Sequence, residues 1–157
     1  MRDLLERSVI DIQPSIYRTH QTLHLDVPAD LPPIMGDMHW LYRAMINLLS
    51  NANKYTPEYG EITVRSYVQG EDLYIEVKDN GPGIPPEAQT RLFERFYRAP
   101  GVEAIKGSGL GLAIVKTVAE RHGGRVFVQS LVGQGSTFGM IIPLATASPP
   151  SMDGPDT

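Results

Sequence analysis

Between Asp37 and Thr56 the polar residues recur at helical intervals. At 3.6 residues per turn Asn47, Asn51, Lys54 and Tyr55 fall within roughly 100° of one another, beside an apolar stripe of Leu41, Ala44, Met45, Leu48 and Ala52. An asparagine carbonyl is a hard oxygen ligand for magnesium, a lysine ammonium suits phosphate, and a tyrosine ring suits a flat base. A solvated helix face with a tyrosine at its rim would show the same pattern.

Two glycine-bearing segments extend this chemistry. Asp79 shares the parity of Leu73, Ile75 and Val77, which predicts a carboxylate on the buried side of a strand. The following Asn80-Gly81-Pro82-Gly83 reads equally as a plain turn. A buried carboxylate needs a donor, however, and the glycines let a flat ligand approach the backbone. An adenine exocyclic amine would serve. Gly107-Ser108-Gly109-Leu110-Gly111 leads into an apolar helix, where backbone N–H groups and the helix dipole converge and a phosphate could sit. Its spacing is neither the Rossmann pattern nor the P-loop pattern, and close helix packing also explains it.

These residues need elements to hold them. Leu4, Leu5, Ser8, Val9 and Ile12 predict an amphipathic helix over 3–12, ended by Pro14. Thr22 to Val27 alternates as a strand, and Asp37 can cap the helix that runs to Tyr55 and stops at Thr56-Pro57. Ile62, Val64 and Val68, then Leu73, Ile75 and Val77, make a hairpin across Gln69–Asp72. Pro85-Pro86 opens a short helix through Phe93, and a loop of small residues follows from Ala99 to Gly109. The buried helix from Leu110 to Arg121 stops at Gly123-Gly124. Strands over 125–130 and 137–143 flank Gly133-Gln134-Gly135, and the tail from 145 to 157 reads as disordered. A hairpin excludes an all-parallel sheet, so the predicted class is α+β: a two-layer sandwich, its sheet mixed and mostly antiparallel, with helices on one face.

Composition narrows the functional classes. A chain of 157 residues suits one domain. With 14 basic against 18 acidic residues, net charge -4, it is not a phosphate-tracking nucleic-acid binder. The absence of cysteine removes disulfides, thiolate metal sites and a cysteine nucleophile. No apolar run reaches the length of a membrane span, which predicts a cytoplasmic domain even if a parent protein is membrane-anchored.

The order of the motifs is more telling than any one of them. Asn47-Leu48-Leu49-Ser50-Asn51-Ala52-Asn53-Lys54-Tyr55-Thr56-Pro57 resembles the N box of the ATP-binding catalytic domain of sensor histidine kinases. Asp79 to Ile84 resembles its first glycine box, Leu92-Phe93-Glu94-Arg95-Phe96 its F box, Gly107 to Leu112 its second glycine box, and Gly133 to Phe138 its third. The resemblance covers residues 20–144. It implies the Bergerat ATP-binding fold, ATP and Mg2+, with Asn51 on the metal and Asn47 assisting. Lys54 would meet the phosphates, Tyr55 would pack on adenine, and Asp79 would accept from its amino group. Gly81, Gly83 and Ile84 would shape the base pocket, with Thr137 near Asp79. Gly107, Ser108, Gly109, Leu110, Gly111 and Leu112 would hold phosphate oxygens, and Phe93 to Lys106 would be a mobile lid, packed through Phe93 and Phe96, whose Arg98 and Lys106 reach the phosphates.

The resemblance also has a gap. The family's phosphoacceptor is a His followed by an acidic residue in a preceding helical hairpin, and neither His20-Gln21 nor His24-Leu25 fits. Residues 1–19 are therefore expected to be a stub from a missing dimerisation domain. The implied partners are that histidine-containing domain of the same kinase and a bacterial response regulator. Related ATPases of the gyrase or MutL type, and anti-sigma-factor serine kinases, carry a glutamate one turn before the magnesium asparagine, where this chain has Asn47. A degenerate ATP-binding adaptor is a third reading, against which every motif residue is retained.

Overall fold

The computed structural model describes residues 1–97 and 110–145. Along the chain run α1 (Arg2–Arg18), β1 (Thr22–Asp26), α2 (Met38–Tyr55), β2 (Glu61–Gln69), β3 (Asp72–Asp79), α3 (Pro86–Gln89), α4 (Gly111–Arg121), β4 (Arg125–Leu131) and β5 (Gly135–Pro143). The sheet order is β1-β2-β3-β5-β4. Only β1 and β2 pair in parallel, because α2 forms the crossover between them, while the remaining pairs are antiparallel. The predicted two-layer sandwich is the observed one.

Alternation decides which side of each strand meets the helices. Ile62 and Val64 on β2, Leu73, Ile75 and Val77 on β3, and Phe138, Met140 and Ile142 on β5 are buried against Leu41, Met45, Leu48 and Leu49 of α2 and Val115 and Val118 of α4. The opposite face is tiled by its own side chains. Tyr67 stacks on Tyr74 with centroids 5.0 Å apart, Tyr74 meets Phe127, and Phe127 lies over Gly139, where a Cβ would fall 2.5 Å from the ring.

Helix α2 starts as its sequence predicts. Asp37 Oδ1 accepts from the N–H groups of His39 and Trp40 at 2.9 and 3.3 Å. It ends at Thr56, which is extended at φ -77, ψ 132 because Pro57 disfavours helical backbone before it. Helix α4 stops at the expected glycines: Gly123 takes φ +76, and Gly124 N–H reaches back to the Ala119 carbonyl at 2.9 Å.

Three expectations change. Helix α1 continues past Pro14 to Arg18, and its Leu4, Leu5, Ile12 and Ile16 are part of the core. Pro14 and Ile10, whose carbonyl loses its helical donor, both face solvent, so water can replace the missing bond. Helix α3 is only Pro86–Gln89; toward Tyr97 the chain proceeds in three-residue turns such as Glu94 N–H to Arg91 O, and Phe96 at φ +64 leaves helical space altogether. Strand β5 begins two residues earlier than predicted, at Gly135. The small-residue loop and nearly all of the tail, 98–109 and 146–157, lie outside the described residues.

Candidate functional site

The edge of α2 that carries Asn47, Asn51, Lys54 and Tyr55 faces the start of α4 at one point and the β3 loop at another. A Cβ on Gly111 would stand 3.5 Å from Asn47 Oδ1, so the positive end of α4 abuts the amide of Asn47. Asn47, Asn51 and Tyr55 are half-buried and Lys54 is exposed. Among the described residues none of these four side chains has a hydrogen bond or ion pair to another side chain.

Asp79 ends β3 on the helix-facing side, 4% exposed, as its parity predicts. Gly81 N–H donates to its Oδ1 at 2.9 Å. Burial pushes its carboxyl above the ordinary value, while the backbone N–H groups of Gly81 and Ser136 favour the charged form and offset part of that shift. Directly across the ladder from Asp79 lies Ser136; Thr137 pairs with Lys78. The expectation that Thr137 sits near Asp79 is thus corrected: successive residues of β5 point to opposite faces, and the side chain beside the carboxylate is that of Ser136.

Ser136 is held in turn by Ser130. The Ser130 hydroxyl donates to the Gly135 carbonyl at 2.9 Å, so it accepts from the Ser136 hydroxyl at 2.7 Å and from Ile84 N–H at 2.8 Å. Gln89 donates to the carbonyls of Ile84 and Ser130, and Gly133 N–H to that of Pro82. The first and third glycine boxes are therefore stitched together. Their contact requires glycine: at Gly83, φ +76, a Cβ would lie 2.1 Å from the Leu131 carbonyl oxygen, and at Gly135, φ +122, 2.0 Å from that of Asp79. Neither serine was anticipated, although counting back from the inward Phe138 places Ser136 on the inner face.

Around this centre Ile84, Phe93 and Leu112 are half-buried against the core, and Phe93 meets Phe138 edge to face at 6.3 Å. Phe96 is 72% exposed, so the expectation that it anchors the lid is also corrected. Leu110 is the first residue before α4. Arg98, Lys106, Gly107, Ser108 and Gly109 lie outside the described residues. A further cavity of about 850 Å³, walled by Met35, Trp40, Ile114, Val118 and Arg121, shares, among the described residues, Leu110 with the predicted site and Arg95 with the predicted lid.

A buried carboxylate beside a glycine turn, an asparagine edge abutting a helix start, and a third glycine turn sewn to the first thus lie together in this fold. Residues 36–146 match the family described as histidine kinase-, DNA gyrase B-, and HSP90-like ATPase. The chain belongs to this family. Among its relatives is the adaptive-response sensory kinase SasA of Thermosynechococcus vestitus, 36% identical over 145 residues, covering 92% of this chain and 38% of the relative. The signal transduction histidine-protein kinase/phosphatase MprB of Mycolicibacterium paratuberculosis is 40% identical over 149 residues, covering 91% and 28% respectively. A solved mycobacterial sensor histidine kinase MprB superposes with a TM-score of 0.80 at 33% identity, covering 92% of this chain and 95% of that one. The chain thus spans well under half the length of these curated relatives and corresponds to their ATP-binding catalytic domain. Within this family member, α1 and β1 precede the matched residues yet complete the core.

Proposed function

We propose that this histidine kinase-type domain binds Mg-ATP across α2, the Asp79 loop and the start of α4, and passes the γ-phosphoryl to a histidine on a separate dimerisation domain. An aspartate of a response regulator would receive it next, in the bacterial cytoplasm. No helix among the described residues is long and apolar enough to cross a membrane.

The observation that carries the reading is the buried Asp79 carboxylate, which among the described residues accepts from the backbone N–H groups of Gly81 and Ser136 and retains capacity for a further donor. The adenine amino group supplies that donor. Tyr55 packs on the base, Gly81 and Gly83 let the ring approach the backbone, and Lys54 with the N–H groups of Gly111 and Leu112 takes phosphate oxygens. Gly107, Ser108, Gly109, Arg98 and Lys106 complete the phosphate contacts. The donor set also fits magnesium: among the described residues there is no cluster of acidic or histidine ligands, but Asn51 and Asn47 offer amide oxygens one turn apart, and magnesium is commonly held by few protein oxygens plus substrate phosphates. When bound, the ion neutralises charge on the transferred phosphoryl.

Asn47 also separates this reading from an ATPase or serine kinase. Water and serine need a base to remove a proton, and an amide cannot take one. A neutral imidazole on another domain is already nucleophilic. Titration of a fluorescent ATP analogue with and without magnesium tests the proposal: saturable, magnesium-strengthened binding supports it, and no binding in either condition defeats it.

A further inference from the structure

The last turn of α2 ends in an unusual way. The carbonyl of Asn53 would ordinarily accept from the N–H of residue 57, but that residue is Pro57, which has none. The missing donor comes from outside the helix. Gln21, 8% exposed just before β1, donates its Nε2 to the Asn53 carbonyl at 3.1 Å and to the Thr56 carbonyl at 2.8 Å. Its Oε1 accepts from Asn53 Nδ2 at 2.7 Å. The same Nδ2 reaches Thr19 Oγ1 at 3.1 Å, and that hydroxyl lies 3.1 Å from the Ser15 and Ile16 carbonyls at the end of α1. A closed clasp of two amides and a hydroxyl thus ties the end of α1, the start of β1 and the end of α2 at one point.

The carbonyls gripped by Gln21, those of residues 53 and 56, bracket Lys54 and Tyr55. Beyond them the Tyr55 carbonyl presses on Gly81, where a Cβ would fall 2.8 Å from its oxygen, and Gly81 N–H is bonded to Asp79. The clasp therefore sets where the turn bearing Lys54 and Tyr55 lies relative to the Asp79 loop. We propose that Gln21 and Asn53 are positioning residues for the nucleotide, acting through Lys54 and Tyr55. The proposal rests on the nucleotide-binding reading above and deepens it. Neither residue touches the ligand, and burying two amides where apolar side chains would also pack buys direction rather than area.

Gln21→Met keeps the length of the side chain and removes both donors. It is compared with the parent chain in its own background and in a Lys54→Ala/Tyr55→Ala background, at a temperature where circular dichroism shows every protein folded. In the first background the affinity for the fluorescent ATP analogue should fall about five- to tenfold, the loss expected for one or two charge-independent hydrogen bonds acting at a distance. In the second, Gln21→Met should change the residual affinity by less than about twofold, because the residues it acts through are gone. An unchanged affinity in the first background overturns the proposal, and so does an equal loss in both, which a merely structural role would give. If Gln21→Met does not fold, Asn53→Leu, the half-buried partner of matching shape, takes the same two comparisons with the same deciding outcomes. Failure of the unmutated chain to bind the analogue at all would instead remove the nucleotide reading, and this proposal with it.

Discussion

Gly81 packs against the carbonyl of Tyr55 so closely that a Cβ would stand 2.8 Å from that oxygen and 2.9 Å from Asp79 Oδ1. The asparagine-bearing helix and the carboxylate loop are therefore in backbone contact, with no side chain between them. Gly81→Ala must push one of the two aside, at a cost of about 1–3 kcal/mol in stability. Nucleotide affinity should fall at least about tenfold, since the displaced groups are the ones that face the base. Thermal unfolding together with analogue titration checks both effects; a variant with parental affinity would mean that the contact is incidental.

Asn51 and Asn47 should not contribute equally to the metal. Asn51→Ala is expected to reduce the magnesium-dependent part of ATP binding more than Asn47→Ala, whose amide lies against Gly111. Titrations with magnesium and with a chelator separate the metal-dependent component. The reverse ranking would place the metal nearer the start of α4.

Asp79 predicts an unusual pH dependence. Its folded-state pKa lies above its ordinary value of 3.8, so between the unfolded and folded values the folded protein holds a proton that the unfolded chain has released. Stability from this group consequently falls as pH rises through that window, and the penalty persists above it, opposite in sign to a salt-bridged aspartate. Asp79→Asn should remove this contribution. At neutral pH the variant should be as stable as the parent chain to within about 1 kcal/mol, or more stable, while losing nucleotide affinity. Urea unfolding from the ordinary carboxylate range to neutrality reads the slope; a variant whose stability fell away relative to the parent as pH rose would show that the carboxylate is net stabilising.

The isolated chain should neither phosphorylate itself nor hydrolyse ATP quickly. His20 and His24 lack a following acid, and His20 Nδ1 is engaged by Glu58 at 3.0 Å with the ring stacked on Tyr59. Position 47 holds no base. Adding a dimerisation domain that bears a His-acid motif should restore transfer in trans, detected as acid-labile phosphohistidine on that domain. Phosphate on His20 or His24 of this chain alone would refute the account of the acceptor.

Local chemistry made much of this site legible. The Asp37 cap, the inward parity of Asp79 and the glycine stop after α4 each follow from a few neighbouring residues and reappear in the structure. What was missed depended on distant partners. Whether α1 ends at Pro14 turns on Ile16 finding a buried place in the core, which local sequence does not reveal. The placement of Thr137 beside Asp79 rests on the resemblance alone, whereas strand parity counted from Phe138 puts Ser136 there; the strand start at Gly135, in contact with the Asp79 carbonyl, sets the register. The Gln21–Asn53 clasp joins residues 32 apart and leaves no periodic trace.

The central claim is that Asp79 reads an adenine amino group. Guanine presents a carbonyl oxygen at that position, so two acceptors would face each other in a partly dry pocket at a cost of roughly 1–3 kcal/mol or more. Competition of ATP and GTP for the site, on the parent chain and on Asp79→Asn, tests this directly. The account predicts at least about tenfold preference for ATP in the parent, with both affinity and preference reduced in the variant, whose amide can rotate to offer a donor. An ATP:GTP ratio that is the same in both proteins would contradict it and leave Asp79 as part of a turn.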